Sequence, residues 1–196
     1  MVADRTTGDQ RHDHWDDEPG AESLHTELSN VTQGERAARF GQAPATILLT
    51  GLTGSGKTTI AYALERRLFD MGRAATVLDG QNMRQGISRD LGFSADDRSE
   101  NLRRSAEVAK LINEAGLICI AAFVAPNKQV RQRAAQVVGE DRFLVIHIDA
   151  PLEICRERDE DGQYDKADSG DIAGFPGVSA PYEVPETPDL TLATRE

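Results

Sequence analysis

The sequence predicts an α/β protein, a three-layer sandwich around a mostly parallel sheet of about five strands. Three observations lead there. From residue 46 onward, short apolar runs alternate with longer segments of helical periodicity, the pattern of repeated strand–helix–strand units. The apolar runs lack strict alternation, as strands covered on both faces do. A glycine-rich stretch separates the first run from the first periodic segment, where a chain turns sharply from strand to helix.

In chain order, residues 1–30 are polar, acidic and poor in aliphatic side chains. Such a segment cannot bury enough surface to offset the entropy of ordering, so a disordered acidic leader is expected. His12, His14 and Trp15 lie within it, and composition favours a solvated tail there over a metal site. Residues 31–42 (VTQGERAARFGQ) predict a short helical lead-in, and residues 43–196 the core domain. TILLT (46–50) reads as a strand. KTTIAYALERRLFDM (57–71) carries Ile60, Leu64 and Leu68 at helical spacing and ends at Gly72. AATVLD (74–79) is a second strand. Ser94 and Asp97 resemble a capping box, opening a helix to about residue 115 with the stripe Leu102, Ala106, Ala109 and Ile112. LICIAAFVA (117–125) is a strand, KQVRQRAAQVV (128–138) a helix and FLVIHID (143–149) a strand in which His147 reads as a core residue. LEICRER (152–158) is a short helix, and DLTLAT (189–194) supplies a last strand.

The net charge of −11 excludes a general nucleic-acid binder, which would carry a basic footprint. It is also uneven. Residues 1–30 hold eight Asp/Glu against two Lys/Arg and residues 151–186 ten against three, which leaves the remainder at +2. An anionic ligand is best tolerated in that remainder. Cys119 and Cys155 fit neither a disulfide framework nor a metal-ligand spacing, so buried free thiols are expected. With no membrane-length apolar run and no signal-peptide pattern, the reading is a soluble, cytoplasmic protein.

GLTGSGKT (51–58) fits the phosphate-loop pattern G-x-x-x-x-G-K-[ST] between a strand and a helix. Glycines 51, 54 and 56 let the backbone wrap phosphate oxygens. Its N–H groups and the helix N-terminus offer positive partial charge. Lys57 can reach the β- and γ-phosphates, and the Thr58 hydroxyl can ligate Mg²⁺. The sandwich is therefore of the P-loop NTPase type. A GTPase would read guanine with N-K-x-D; Asn127 and Lys128 are present, but Val130 stands where the aspartate belongs. A compact core of about 150 residues suggests a small-molecule kinase.

The stretch DGQNMRQGISRDLGFSADDRSENLRR (79–104) supplies the second side. It places Arg84, Arg98, Arg103 and Arg104 near the carboxyl ends of strands, where α/β folds bind ligands. Arg98 and Asn101 share a helix face. Phe93 can stack on a base, and arginine forks suit sulfate or phosphate. Clustering favours a binding role for Arg84, Phe93, Arg98 and Asn101; Arg103 and Arg104 read equally well as solvated ion pairs.

GLTGSGKTT, LDGQNMRQG, LGFSADDRSENLRR, DAPLEICRERD, GQY and GFPGVSAPYEVPE together resemble adenylyl-sulfate kinase (APS kinase), in that family's order, over residues 31 to about 190. The resemblance implies transfer of the ATP γ-phosphoryl to the 3′-hydroxyl of adenylyl sulfate in sulfate assimilation, with Mg²⁺ as cofactor. It implies nucleotide contacts from Gly51, Thr53, Gly54, Ser55, Gly56, Lys57, Thr58, Thr59 and Arg158. Substrate contacts would come from Arg84, Phe93, Arg98, Asn101, Lys166 and Phe175, the last closing over the adenine. Lys57 and Asp79 would be catalytic, and Thr58 and Asp79 would hold the metal. Residues 159–175 would form a mobile lid. A homodimer is implied, as is an ATP sulfurylase partner or fusion, with no nucleic-acid or membrane partner.

Several positions depart from the family pattern. Gln81 replaces the second acid of D-G-D-N, and Ala125 replaces a serine, so no covalent route runs through position 125. The lid reads GQYDKADSG (162–170), where Asp165 and Asp168 replace cations; these charges are expected to repel a triphosphate unless Mg²⁺ or Lys166 compensates. The family's C-terminal helix is expected to be missing. These departures keep open a second reading: a weakened, nucleotide-binding module that supports an ATP sulfurylase.

Overall fold

The computed structural model describes residues 29–195; His12, His14 and Trp15, with almost all of the predicted acidic leader, lie outside them. The predicted lead-in is helix α1 (Gln33–Phe40). Thr32 and Glu35 close a complete capping box at its start, and Gly41 ends it in the left-handed conformation at φ 62°. Gln42 then ties this segment to the domain: its amide donates to the Ala74 and Gly116 carbonyls and accepts from the Ala74 N–H.

Strands β1 (Thr46–Thr50), β2 (Ala75–Asp79), β3 (Ile118–Ala122), β4 (Phe143–Asp149) and β5 (Leu190–Ala193) make one sheet in the order β2-β3-β1-β4-β5. Every neighbouring pair is parallel. Each return to the sheet therefore needs a crossover, as the alternating pattern requires. Helix α2 (Lys57–Asp70) follows β1, α4 (Ala95–Glu114) links β2 to β3, and α5 (Lys128–Val138) links β3 to β4. After α2, the N–H groups of Gly72 and Arg73 return to the carbonyls of Phe69 and Leu68. This is the glycine-dependent stop that the sequence signals.

Side-chain alternation along the strands divides the core into two layers. Leu48, Cys119 and Ala121 pack against Leu102, Ala106 and Ala109 of α4 and Val130, Ala134 and Val138 of α5. Leu49, Ile120 and Ala122 face Ala61, Ile60, Leu64 and Leu68 of α2 on the opposite side. Burying each large aliphatic side chain contributes about 2 kcal/mol. Both cysteines are buried and unpaired. His147 is buried and stacks on Tyr182. Among the described residues no helix is long and apolar enough to cross a membrane.

Three elements differ from the sequence reading. Strand β3 ends at Ala122 rather than 125, because both neighbouring ladders stop there. Helix α3 (Gly80–Gln85) occupies part of the stretch read as loop, and α7 (Gln163–Asp168) lies inside the lid segment after α6 (Leu152–Glu157). Six-residue helices are too short to show periodicity.

Asn113 joins the end of α4 to the start of β1. It accepts from the Thr46 hydroxyl and donates to the carbonyls of Ala45 and Leu117, with no solvent exposure. Replacing it removes all three of these hydrogen bonds, although the Ala45 carbonyl keeps the Cys119 N–H as a donor. Asn113→Ala is expected to lower unfolding free energy by about 3 kcal/mol, measured by urea denaturation; a loss below about 1 kcal/mol would refute this role.

Candidate active site

The first half of the site is the loop between β1 and α2. A side chain at Gly51 would collide with the Ile148 carbonyl, and one at Gly54 with the Cys155 carbonyl. The loop is therefore threaded between β4 and α6 in a path that only glycine permits. Gly56, at φ 97°, opens α2 with no side-chain cap, which leaves the first N–H groups available to an anion. Lys57 is buried and folds back, donating to the Leu52 carbonyl at 2.6 Å and the Ser55 hydroxyl at 3.4 Å. Burial pulls its pKa down to about 8, with the Asp79 carboxylate among the charges that oppose the shift.

The second half begins at Asp79, at the tip of β2. One carboxylate oxygen caps α3 by accepting from the N–H groups of Gln81 and Asn82; the other accepts from the Thr58 hydroxyl at 2.7 Å. That is the reason for a buried charge at a strand end. The same oxygen pair is a hard-oxygen donor set at the edge of the phosphate loop. The Gln81 side chain stands exposed beside it.

From there a cavity of about 580 Å³ opens between the carboxyl ends of β1, β2 and β3. Lys57, Thr58, Asp79, Arg84, Phe93, Arg98 and Asn101 all line it. Arg84 is fixed by the carbonyls of Gly80 and Gly92 and lies 4.8 Å over the Phe93 ring. Arg98 reaches the Gly174 carbonyl and lies 5.1 Å over Phe175. Burial lowers both guanidinium pKa values, that of Arg98 to about 10, and the charge of Arg84 adds to the shift at Arg98. Both stay charged at neutral pH, and among the described residues neither forms a salt bridge, although the Asp97 and Asp79 carboxylates partly offset the burial of Arg84. Asn101 donates to the Gly80 carbonyl, while its Oδ1 is buried without a partner. Two unneutralised cations, an aromatic ring and an unsatisfied acceptor make a receptor for an anionic group attached to a base or sugar.

Other candidates fall elsewhere. Arg103 and Arg104 share the buried Glu100, and Arg104 also grips the exposed Asp90; these are ion pairs outside the cavity lining. Thr53 lines the cavity with Gly54, Ser55 is buried, and Thr59 is exposed on the first turn of α2. Arg158 points to Thr194, whose hydroxyl bonds the Ser55 carbonyl. Lys166 donates to the Asp161 carbonyl, outside the cavity lining. Phe175 is wholly buried against Tyr164 and lies beneath Arg98 rather than on the cavity surface. The lid acids do not line the cavity: Asp168 is held bidentate by Arg156.

The sequence reading missed Tyr62, Phe123, Pro181 and Glu183 as cavity residues. Tyr62 had a signal, since it lies one helical turn from Thr58 on the same face. Pro181 and Glu183 arrive from a distant segment; their signal was the family-like stretch GFPGVSAPYEVPE (174–186) that contains them.

The adenylylsulphate kinase family model matches residues 43–193 of the chain. The chain is 59% identical over 192 residues to the bifunctional enzyme CysN/CysC of Rhodopirellula baltica, covering 98% of this chain and 30% of that protein. It is 48% identical over 165 residues to the adenylyl-sulfate kinase of Shewanella pealeana, covering 84% and 80% respectively. Among solved structures, it is similar to the Mycobacterium tuberculosis APS kinase CysC in complex with AMPPNP and APS. That match has a TM-score of 0.73 and 41% identity, over 77% of this chain and 88% of that one.

The Lys57 geometry carries a pH dependence. A phosphate binds the protonated amine better than the neutral one. Nucleotide affinity is expected to hold below pH 8 and to fall as pH rises through the free-state value of about 8. Titration calorimetry with ATP between about pH 6.5 and pH 9.5 checks this; a flat affinity across that window would contradict it.

Proposed function

The chain belongs to the adenylylsulphate kinase family, and we propose that it transfers the γ-phosphoryl group of ATP to the 3′-hydroxyl of adenylyl sulfate. The product is 3′-phosphoadenylyl sulfate. One observation carries this reading: Arg84 and Arg98, charged and held by backbone carbonyls, share a single cavity with Lys57 and the Thr58–Asp79 pair. Donor phosphates and an anionic acceptor can therefore meet in one enclosure.

In this reading the phosphate loop binds ATP, and Lys57 leaves the Leu52 carbonyl to meet the β- and γ-phosphates. Phe93 stacks on the acceptor base, Arg84 and Arg98 hold its sulfate and phosphate oxygens, and Asn101 offers its unpaired Oδ1. The 3′-oxygen attacks the γ-phosphorus, the bond to the β,γ-bridging oxygen breaks, and ADP departs. Asp79 takes the hydroxyl proton. Most of the acceleration would come from alignment and charge neutralisation. The Thr58 hydroxyl and Asp79 carboxylate suit Mg²⁺, which accepts hard oxygens and keeps several waters. Bound there with ATP, it would supply positive charge to the transferring phosphoryl group.

Gln81 favours a second reading, in which turnover is weak and the domain serves an ATP sulfurylase. It stands beside the Asp79–Thr58 pair with no charge to offer a cation. The chain spans less than a third of the bifunctional relative, which fits a sulfurylase fusion or partner. A homodimer in the cytoplasm belongs to the same proposal.

Incubation with ATP, Mg²⁺ and adenylyl sulfate is expected to yield 3′-phosphoadenylyl sulfate, and Lys57→Ala to cut kcat/KM by about 100-fold or more. ATP binding without product would leave the weakened-module reading. Gln81→Asp adds a carboxylate next to the donor pair, so half-maximal turnover should need several-fold less Mg²⁺; an unchanged requirement would show that position 81 plays no part in cation binding.

A further inference from the structure

Ala125 is the one non-glycine residue with positive φ among those described, at 43°. A side chain with a Cβ resists that region, and such a conformation persists only where surrounding contacts over-determine it. Here the contacts are unusually dense. The Val124 carbonyl accepts from the Thr50 hydroxyl at 2.6 Å. The Ala125 carbonyl accepts from the Arg131 guanidinium at 2.8 Å. The Pro126 carbonyl accepts from the Glu183 N–H at 2.7 Å. Three successive carbonyls are thus held by three different parts of the chain: β1, α5 and the segment after the lid.

That last segment contributes most. The Glu183 carboxylate also accepts from the Lys128 N–H at 2.7 Å, so it caps α5 alongside Asn127, whose side chain accepts from Val130. Tyr182 lies 3.0 Å from the Thr50 hydroxyl. Thr50 spends its one proton on Val124, so Tyr182 is the donor in that pair. His147 stacks on the Tyr182 ring at 6.0 Å and 20°, which fixes it from below. Val124, Ala125, Pro126 and Asn127 all line the cavity shared by Arg84, Phe93 and Arg98.

We propose that Tyr182 and Glu183 are positioning residues that clamp residues 124–127 in this strained turn and so shape the acceptor side of the cavity. The inference rests on adenylyl sulfate being the acceptor. The two Glu183 bonds act on the cavity wall, at the Pro126 carbonyl and the Lys128 N–H, whereas Tyr182 touches Thr50 at the entrance to the phosphate loop, so it is Glu183 that should govern acceptor binding selectively. It also acts through backbone conformation, so a glycine at position 125, which tolerates the left-handed region without a Cβ, should replace part of what the clamp does.

The experiment compares Glu183→Ala, Glu183→Gln, Ala125→Gly and the double variant Glu183→Ala/Ala125→Gly. Glu183→Ala should raise KM for adenylyl sulfate about tenfold and leave KM for ATP within about twofold. Glu183→Gln keeps a carbonyl acceptor for the Lys128 N–H and should stay near the parent protein. The double variant should recover most of the lost acceptor KM. A Glu183→Ala effect shared equally by both substrates, or no recovery from glycine, would overturn the proposal; direct contact of Glu183 with the acceptor would give the second result. Urea unfolding of the same four proteins forms a double-mutant cycle that needs no substrate. Ala125→Gly should stabilise the clamped protein more than the unclamped one, and equal effects in both would sink the clamp. If the parent protein makes no product, the functional reading fails, and the unfolding cycle still decides the clamp.

Discussion

The organising constraint is the carboxylate of Asp79. It is buried at the tip of β2, where an unpaired charge would be prohibitive. It is satisfied by donors from two directions: the Gln81 and Asn82 N–H groups of α3 and the Thr58 hydroxyl of α2. Hydrogen bonds to a charged group contribute about 1.5–3 kcal/mol each, so this set fixes the start of α3 and the first turn of α2 against each other. The order β2-β3-β1 separates β2 from β1 by one strand, and the gap over β3 becomes the cavity. A residue at 79 without a side-chain oxygen would lose the cap, the brace and the hard-oxygen pair together.

Charge pairing decides which arginines can serve a ligand. Arg103 and Arg104 lie about one and a half turns along α4 from Arg98, yet Glu100 and Asp90 neutralise them. Arg84 and Arg98 hold only backbone carbonyls, and each guanidinium is stacked on a ring. Keeping two neighbouring cations half-buried is a standing electrostatic cost, visible in pKa values that burial lowers despite the Asp97 and Asp79 charges acting on Arg84. An anion is the natural relief for it. Carbonyl bonding has a further effect, because it aims the forks before any ligand arrives and so reduces the entropy lost on binding.

Legibility in the sequence followed the range of the interactions. The phosphate loop could be read because its constraint is local: glycines at fixed offsets, then Lys57 and Thr58 on the next helical turn. The central strands β1 and β3 could be read because burial on both faces leaves an apolar run. Helix α3 could not, since its cause is a single cap at Asp79 and it ends before a period can show. Phe175 appears in sequence as an aromatic free to cover a base, whereas the fold spends it on packing beneath Arg98. The lid acids looked like bare charges because Arg156, the partner of Asp168, lies twelve residues away on a different helix. Pro181 and Glu183 reach the cavity through a return of the chain that no spacing in the sequence encodes.

The lid and the phosphate loop are also not independent parts. The Tyr164 hydroxyl donates to the Thr53 carbonyl at 2.8 Å, and its ring meets Phe175 edge-on at 5.1 Å. Phe175 in turn carries Arg98 on its face. Leu52 of the loop and Leu152 of α6 pack into the same apolar cluster. A shift of the loop by a fraction of an ångström would therefore press on a close-packed set that ends at the acceptor-side guanidinium, and such sets have little compressibility to absorb it. The phosphate loop and Arg98 thus rest on one shared piece of core. Arg156 closes this unit from outside, stacking on Tyr164 while it holds Asp168. The acidic residues of the lid thus stiffen the lid itself, and the cavity keeps the positive field that Lys57, Arg84 and Arg98 give it.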